Sequence, residues 1–373
     1  MSDLTLVLLA AGNSTRFNVP VKKQWLRIGH DPLWLYVTNR IKESLPDADI
    51  ILSAHKDEIP FITPLCDCTV VAGGETRQQS LKNALKDVKT PYVMVTDIAR
   101  ACIDPDLIAR LIAHKELADT IVPALDVHDT VVYGDETIER ERVKRIQTPQ
   151  LSRTAVLRRA LETDTEYTDE SSAVVASGGT RYFIQGDTRA AKITHAGDTA
   201  SLACLASPSP FTFTGNGFDV HPFEEGKPMV LGGVEIDSPF GFRAHSDGDV
   251  AIHALIDALL GAACLGDIGM LFPDADESYK NIDSKYLLAK CVEKLHHFGF
   301  VILHADITII AQTPKISPYK DKMRLTLASY LHIPAARVNV KATTTEHLGF
   351  IGRREGVAVS ATASVHYFDW KHG

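Results

Sequence analysis

The chain has 373 residues, 45% hydrophobic and 23% charged, and a formal net charge of -8. That length predicts two domains, each with enough apolar sequence for its own core. Without a long run of Lys or Arg the chain lacks the basic face of a sequence-blind nucleic-acid binder, though small phosphorylated ligands need only a few placed cations. The opening MSDLTLVLLAAG has neither the basic flank nor the cleavage pattern of a secretory leader. No apolar run reaches the ~18 residues of a membrane span, so the expected location is the cytoplasm.

Up to about residue 200, short apolar runs alternate with amphipathic ones. Thr5–Leu9, Ile50–Ala54, Val93–Thr96 and Thr120–Ala124 read as buried strands, and Ser80–Val88 and Asp106–Leu117 as helices. This alternation predicts an α/β domain of βαβ units, with a parallel sheet and helices on both faces. The tract from Asp129 to Gln150, with its Gly-Asp break and charged ERERVKR, reads either as a projecting hairpin arm or as a solvated helix. Cys66, Cys68, Cys102, Cys204, Cys264 and Cys291 form neither a CxxC pair nor a dense framework, and read as reduced thiols. Ala206-Ser207-Pro208-Ser209-Pro210 is the linker candidate. Beyond it come strands near Gly217–His221, Ala305–Ala311 and Val338–Ala342, and helices over Asp249–Ala263 and Ser284–Phe298.

The first strand runs into Ala10-Ala11-Gly12-Asn13-Ser14-Thr15-Arg16, followed by Lys22-Lys23-Gln24. Small and hydroxylic residues after a strand let backbone N–H groups approach phosphate, while Arg16 and Lys23 supply positive charge. Neither a Walker loop nor GxGxxG is present. Gly73-Gly74-Glu75-Thr76-Arg77-Gln78-Gln79-Ser80 opens a helix, and Thr96-Asp97-Ile98-Ala99-Arg100 ends a strand, where open α/β sheets bind ligands. Asp97 there reads as a Mg²⁺ or ribose partner, or else as a capping carboxylate.

In order, these segments resemble the 2-C-methyl-D-erythritol 4-phosphate cytidylyltransferase family over roughly the first 205 residues. Thr148-Pro149-Gln150 and Thr168-Asp169-Glu170-Ser171 fit as well; Ser14 stands where the family has glycine, and Ala101 where it has proline. The resemblance implies a Rossmann-like mixed sheet with a projecting arm, and Mg²⁺ bound with CTP. It implies Arg16 and Lys23 at the α-phosphate, with Arg140 and Lys192 holding methylerythritol phosphate and Thr130 and Arg100 assisting. Gly12, Ser14, Gly74, Arg77, Ser80 and Asp97 would bind nucleotide. The rival reading is a sugar-phosphate nucleotidyltransferase fused to a zinc-binding assembly module.

In the second half, Asp219 and His221 alternate on a strand and so share a face. His245-Ser246-Asp247-Gly248-Asp249 leads into a helix carrying His253. One carboxylate and two imidazoles make a three-ligand zinc set with an open fourth position; spacing leaves open whether His245 or His253 completes it. Asp267-Ile268-Gly269, Leu271-Phe272-Pro273-Asp274, Ala311–Lys315 and Lys341–Glu346 read as ligand-binding loops, and Glu346 as a partner for a divalent ion on a diphosphate.

Residues 213–373 resemble 2-C-methyl-D-erythritol 2,4-cyclodiphosphate synthase almost throughout, through GFDVH, AHSDGDVAIHALIDALLGAA, LGDIG, LFPD and VKATTTEHLGFIGR. Ala275 and His347 depart from its pattern. The resemblance implies an α+β domain with Zn²⁺ on Asp219, His221 and His253, and His245 and Thr344 stabilising the phosphates. Ser246, Asp267, Gly269, Phe272, Asp274, Asp276, Ala311, Lys315, Thr343, Thr345, Glu346, Phe350 and Arg353 would contact substrate or the second cation. Domains are expected at 1–210 and 211–373. The two resemblances together imply a homo-hexamer built from dimer and trimer contacts. They also imply a separate ATP-dependent kinase acting between the two reactions, since no kinase motif is present.

Overall fold

The computed structural model describes residues 2–202, 205–244, 246–273 and 282–372. The chain divides into two compact units, Met1–Pro208 with Trp370–Gly373, and Ser209–Asp369.

In the first unit β1 (Leu4–Leu9), β2 (Asp49–Ala54), β3 (Thr69–Ala72) and β4 (Tyr92–Asp97) run parallel. Every residue of β1 and β4 is buried, as near-continuous apolar runs such as LTLVLL require when helices cover both faces. The connecting helices are α1 (Leu33–Ser44), α2 (Arg77–Leu85) and α3 (Pro105–Ala113). α2 starts three residues before the expected Ser80, because the Thr76 hydroxyl caps it by accepting the Gln79 N–H at 3.1 Å. α3 starts on a proline behind the Asp104 cap.

After β5 (Thr120–Asp126) comes the arm. It is a hairpin, β6 (Val131–Tyr133) against β7 (Glu136–Ile138), turning at Gly134 with φ +60°. The charged tract is one 3-10 turn, Arg140–Arg142, leading to β8 (Lys144–Ile146), and not a solvated helix. β9 (Gln150–Arg153) then inserts antiparallel between β4 and β5, which makes the sheet mixed. The helices α4 (Thr154–Ala160) and α5 (Glu170–Ala176) precede β10 (Arg181–Gln185), which lies parallel to β5. The sheet order is β8-β5-β9-β4-β1-β2-β3.

Cys66 and Cys68 are disulfide-bonded, which corrects the expectation of free thiols at that pair. A bend at Asp67 and Cys68 brings the Cα atoms of the two cysteines to 5.5 Å. Cys102 and Cys291 are buried and free, Cys264 is exposed and free, and Cys204 lies outside the described residues.

The second unit is built on a five-stranded sheet, β12-β11-β15-β13-β14, formed by β11 (Thr212–Glu225), β12 (Phe240–Phe242), β13 (Phe300–Ile310), β14 (Val338–Thr343) and β15 (Gly356–Tyr367), beside a short separate ribbon of Met229–Leu231 against Val234–Ile236. All neighbours are antiparallel except β13 and β14. The helices are α6 (Val250–Ala262), α7 (Ile268–Leu271), α8 (Ser284–His297), α9 (Lys320–Leu331) and α10 (Gly349–Gly352). α6 is apolar nearly all round and buried. A Cβ on Gly217 would lie 2.0 Å from the Ala254 carbonyl oxygen. The missing side chain thus lets the α6 backbone rest directly on β11, which brings His253 over Asp219.

Candidate functional site

At the C-terminal ends of β1, β2 and β4 the first unit opens into a cleft of about 640 Å³. Gly12, Ser14, Arg16, Lys23, Gly74, Arg77, Ser80, Asp97 and Lys192 all line it, so the structure brings these predicted residues together. The first loop is held by side chains. Ser14 sits in the left-handed region at φ +57°, and its hydroxyl accepts the Lys23 N–H at 3.0 Å. Serine therefore ties the two ends of the loop together where glycine would not. Gln24, itself buried, donates to the Gly12 carbonyl and to Glu58, which also pairs with Lys22 at 2.7 Å.

The second loop needs its glycine. A Cβ on Gly73 would stand 2.3 Å from the Ala11 Cβ, so only glycine lets the loops approach this closely. Ser80 closes that turn by accepting the Gly74 N–H at 3.0 Å.

Asp97 is the electrostatic hub. One carboxylate oxygen accepts from Arg77 at 2.9 Å, the other from Lys192 at 2.8 Å. Burial alone would raise its pKa, but these two cations hold the carboxyl well below the usual carboxylate range. Arg77 is shared with the buried Glu170 at 2.6 Å, so Glu170 anchors Arg77, Arg77 orients Asp97, and Asp97 places Lys192. Burial pushes the Glu170 carboxyl up against the pull of that arginine. Lys23 donates to the Ile193 carbonyl at 3.2 Å. Burial, and then the charges of Lys192 and Arg16, lower its pKa.

Three predicted residues stand apart from this cleft. Arg100 is buried and donates to Thr148 at 2.9 Å and to the Ala190 carbonyl, so it orders the loop that carries Lys192. Thr130 and Arg140 are exposed on the arm, and Arg140 donates to the His128 carbonyl at 2.9 Å. Neither lines the cleft of its own chain.

In the second unit Asp219, His221 and His253 form a metal-competent group, with one ligand atom from each within 4.8 Å of the others. Asp219 Oδ2 lies 3.2 Å from His221 Nε2 and 3.3 Å from His253 Nδ1. Surrounding hydrogen bonds fix which nitrogen is free. His221 Nδ1 is 2.9 Å from the Gly248 carbonyl, which only accepts, so Nδ1 carries the proton and Nε2 faces inward. Ser284 Oγ donates to Asp247 and lies 3.1 Å from His253 Nε2; it accepts there, leaving Nδ1 to the centre. Ser246 Oγ stands 3.3 Å from the same Nε2, so that predicted substrate contact turns toward the histidine. Burial would raise the Asp219 carboxyl, but the two imidazoles hold it well below the usual range. A carboxylate and two oriented imidazoles fit Zn²⁺.

The predicted phosphate loops lie elsewhere on the sheet. Asp219, Val359, Ile309 and Ala342 are cross-strand neighbours in one row. Thr343, at the end of β14, is therefore level with Asp219 and His221 but three strand spacings away, roughly 14 Å. Thr343, Thr344, Glu346, Phe350, Arg353 and Lys315 are exposed at that edge, with Thr345 partly buried beside them. Thr344 donates to Glu346 at 2.8 Å, Thr345 to the Leu348 carbonyl at 2.7 Å, and Arg353 to Glu355 at 2.7 Å. Ala311 is buried and donates its N–H to Thr343 at 3.0 Å. Asp267 caps α7 and is exposed, as is Gly269, whereas Phe272 is buried. His245, Asp274 and Asp276 lie outside the described residues.

Sequence reasoning did not single out Ser284, Asp247 or Gly248 as supports of the imidazoles, nor Glu170 and Glu58 as anchors of the cleft. Glu170 left a signal as part of the TDES segment, and Asp247 and Gly248 as part of the HSDGD segment.

Two family models match: 2-C-methyl-D-erythritol 4-phosphate cytidylyltransferase over residues 4–205, and the YgbB family over residues 212–366. The bifunctional enzyme IspD/IspF of Sulfurimonas denitrificans is 57% identical over 370 residues, covering 99% of this chain and 96% of that protein. Its counterpart from Nitratiruptor is 56% identical, with 99% of each covered. A solved structure of the bifunctional IspDF from Campylobacter jejuni superposes with a TM-score of 0.92 at 46% identity, covering 100% of both chains.

Proposed function

This chain belongs to the bifunctional IspD/IspF family, and from that premise we propose how its residues divide the work. The protein is a 2-C-methyl-D-erythritol 4-phosphate cytidylyltransferase and a 2,4-cyclodiphosphate synthase of isoprenoid-precursor synthesis. In the first reaction the substrate phosphate attacks the α-phosphorus of CTP and pyrophosphate leaves. Gly12, Ser14 and Gly74 present backbone to the nucleotide. Lys23 and Arg16 offset the charge that grows on the α-phosphate, and Lys192, held by Asp97, takes the incoming substrate. The observation that carries this reading is the convergence of Arg16, Lys23 and Lys192 on one cleft at the strand ends. Asp97 has both oxygens engaged, so Mg²⁺ would ride mainly on the phosphate oxygens of CTP.

In the second reaction a phosphate on the 2-hydroxyl attacks the cytidylyl diphosphate and CMP leaves. Asp219, His221 and His253 would hold zinc, which supplies Lewis acidity toward phosphate oxygen. Thr343, Thr344 and Thr345 offer hydroxyls to the phosphates, with His245 beside them in role. Glu346 would hold the second divalent ion, and Asp267, Gly269, Lys315, Phe350 and Arg353 would position the rest of the substrate.

Assembly follows from what one chain leaves apart. The metal ligands and the threonine loop occupy separate parts of one sheet, and Thr130 and Arg140 stand outside their own cleft. Our reading is a hexamer, with three-fold contacts joining the first pair and two-fold arm contacts the second. Light scattering at working concentration should give six subunits; a single-subunit mass refutes the assembly. Among the described residues no helix is long and apolar enough to cross a membrane. We assign the enzyme to the cytoplasm, where nucleotide and sugar-phosphate substrates are dissolved.

Product analysis tests the pair of reactions together. The first unit's product still has a free 2-hydroxyl, whereas the second reaction needs a phosphate there. With CTP, Mg²⁺, Zn²⁺ and methylerythritol phosphate the protein should accumulate the cytidylyl intermediate and pyrophosphate. Cyclic diphosphate and CMP should follow only when an ATP-dependent kinase is added. Cyclic product without that kinase would overturn the substrate assigned to the second unit.

A further inference from the structure

Four residues beyond Lys23 the chain makes a small hairpin, Arg27-Ile28 against Asp31-Pro32, turning at Gly29 with φ +63°. Between them stand Trp25 and Leu26, 2% and 1% exposed. The Trp25 ring meets Trp34 edge-on at 6.1 Å, and the Arg27 guanidinium lies 5.8 Å from its centre. Lys23, Gln24 and Trp25 share one 3-10 turn, so a shift of this hairpin moves the cleft residues with it.

Two distant parts of the chain fasten that hairpin. The Ser207 carbonyl accepts the Gly29 N–H at 3.1 Å, and Pro208 bridges to Gly29. From the far end of the chain, the Trp370 indole N–H donates to the Arg27 carbonyl at 2.6 Å. Trp370 is 6% exposed, and Lys371 beside it donates to the Leu205 carbonyl at 3.4 Å. The segment leaving the first unit and the segment returning to it therefore end on the same three residues. Trp370 lies outside both family-matched regions, 4–205 and 212–366.

We propose that Trp370 is a positioning residue for cytidylyl transfer, acting through the Arg27 carbonyl and Trp25 on the turn that carries Lys23 and Gln24. The terminal four residues would then belong to the nucleotide half in function as well as in packing. The inference rests on the role assigned to Lys23 above.

The test compares Trp370→Phe, which keeps a ring but removes the N–H, with Trp370→Ala in the full chain. Both reactions are assayed well below the melting temperature, with thermal unfolding measured alongside. Trp370→Ala should lower kcat for cytidylyl transfer at least about tenfold, since displaced catalytic groups lose rate steeply. The KM for CTP should change much less, the cyclase rate should hold, and Trp370→Phe should recover part of the loss. An unchanged kcat with a lower melting temperature would reduce Trp370 to a packing residue, and an equal fall in both reactions would remove its specificity for the nucleotide half. If Lys23→Ala itself retains transfer, the Lys23 reading fails; if only the Trp370 variants stay active, this inference alone falls.

Discussion

Lys23→Ala should cut cytidylyl transfer by about 10²–10³-fold while cyclisation continues at its normal rate. A pre-placed donor aimed at charge that develops in the transition state contributes about 2.7–4 kcal/mol. Lys23 stands where such a donor must: at the cleft, half-buried, its ammonium donating to the Ile193 carbonyl at 3.2 Å. That bond is a single charge-assisted hydrogen bond, worth about 1.5–3 kcal/mol, less than the roughly 5–15 kcal/mol that holds a domain folded. Burial and two neighbouring cations lower the Lys23 pKa from 10.5. The wild-type kcat/KM for CTP should therefore fall on the alkaline side before pH 10.5 is reached, as the ammonium loses its proton. Steady-state assays of both reactions on one preparation decide the matter. Loss of cyclisation in the same variant would show that the two sites are not independent.

The second large effect is expected at the metal group. His253→Ala should lose bound zinc and cyclisation together, because it removes one of the three ligands proposed above. Ser284→Ala should keep the ligand but free the imidazole to rotate, weakening metal affinity about 10–100-fold. His245→Ala should abolish cyclisation and leave most of the metal in place. Elemental analysis of the purified variants separates the three. Metal retained by His253→Ala but lost from His245→Ala would reverse the ligand assignment.

What the sequence made legible was the set of groups, and what it hid was their use. The first-unit strands read clearly because unbroken apolar runs have few alternatives, and Arg16, Lys23, Asp97 and Lys192 do meet at one cleft. That Asp97 is occupied by two cations was not readable, since its partners come from residues 20 and 95 positions away. Ser284 was invisible for the same reason. A serine opening a helix reads as a local capping group, and its bond to His253 spans 31 positions. The arm stayed ambiguous because a charged tract suits a solvated helix as well as a hairpin; the left-handed turn at Gly134 decides it. Between His245 and His253, spacing could not choose, whereas the inward Nδ1 of His253 follows from tertiary contacts alone.

The placement of Trp370–Gly373 also bears on how the molecule is made. Synthesis runs from the N-terminus, so the nucleotide half emerges first, with its sheet and most of its cleft able to fold at once. The indole that closes on the Arg27 carbonyl is translated about 160 residues later, on the order of ten seconds or more at roughly 5–20 residues per second. The ribosome thus finishes the whole second enzyme before delivering the last fastening of the first. A nascent or prematurely terminated chain carries a nucleotide half in which the Arg27 carbonyl still lacks the indole donor.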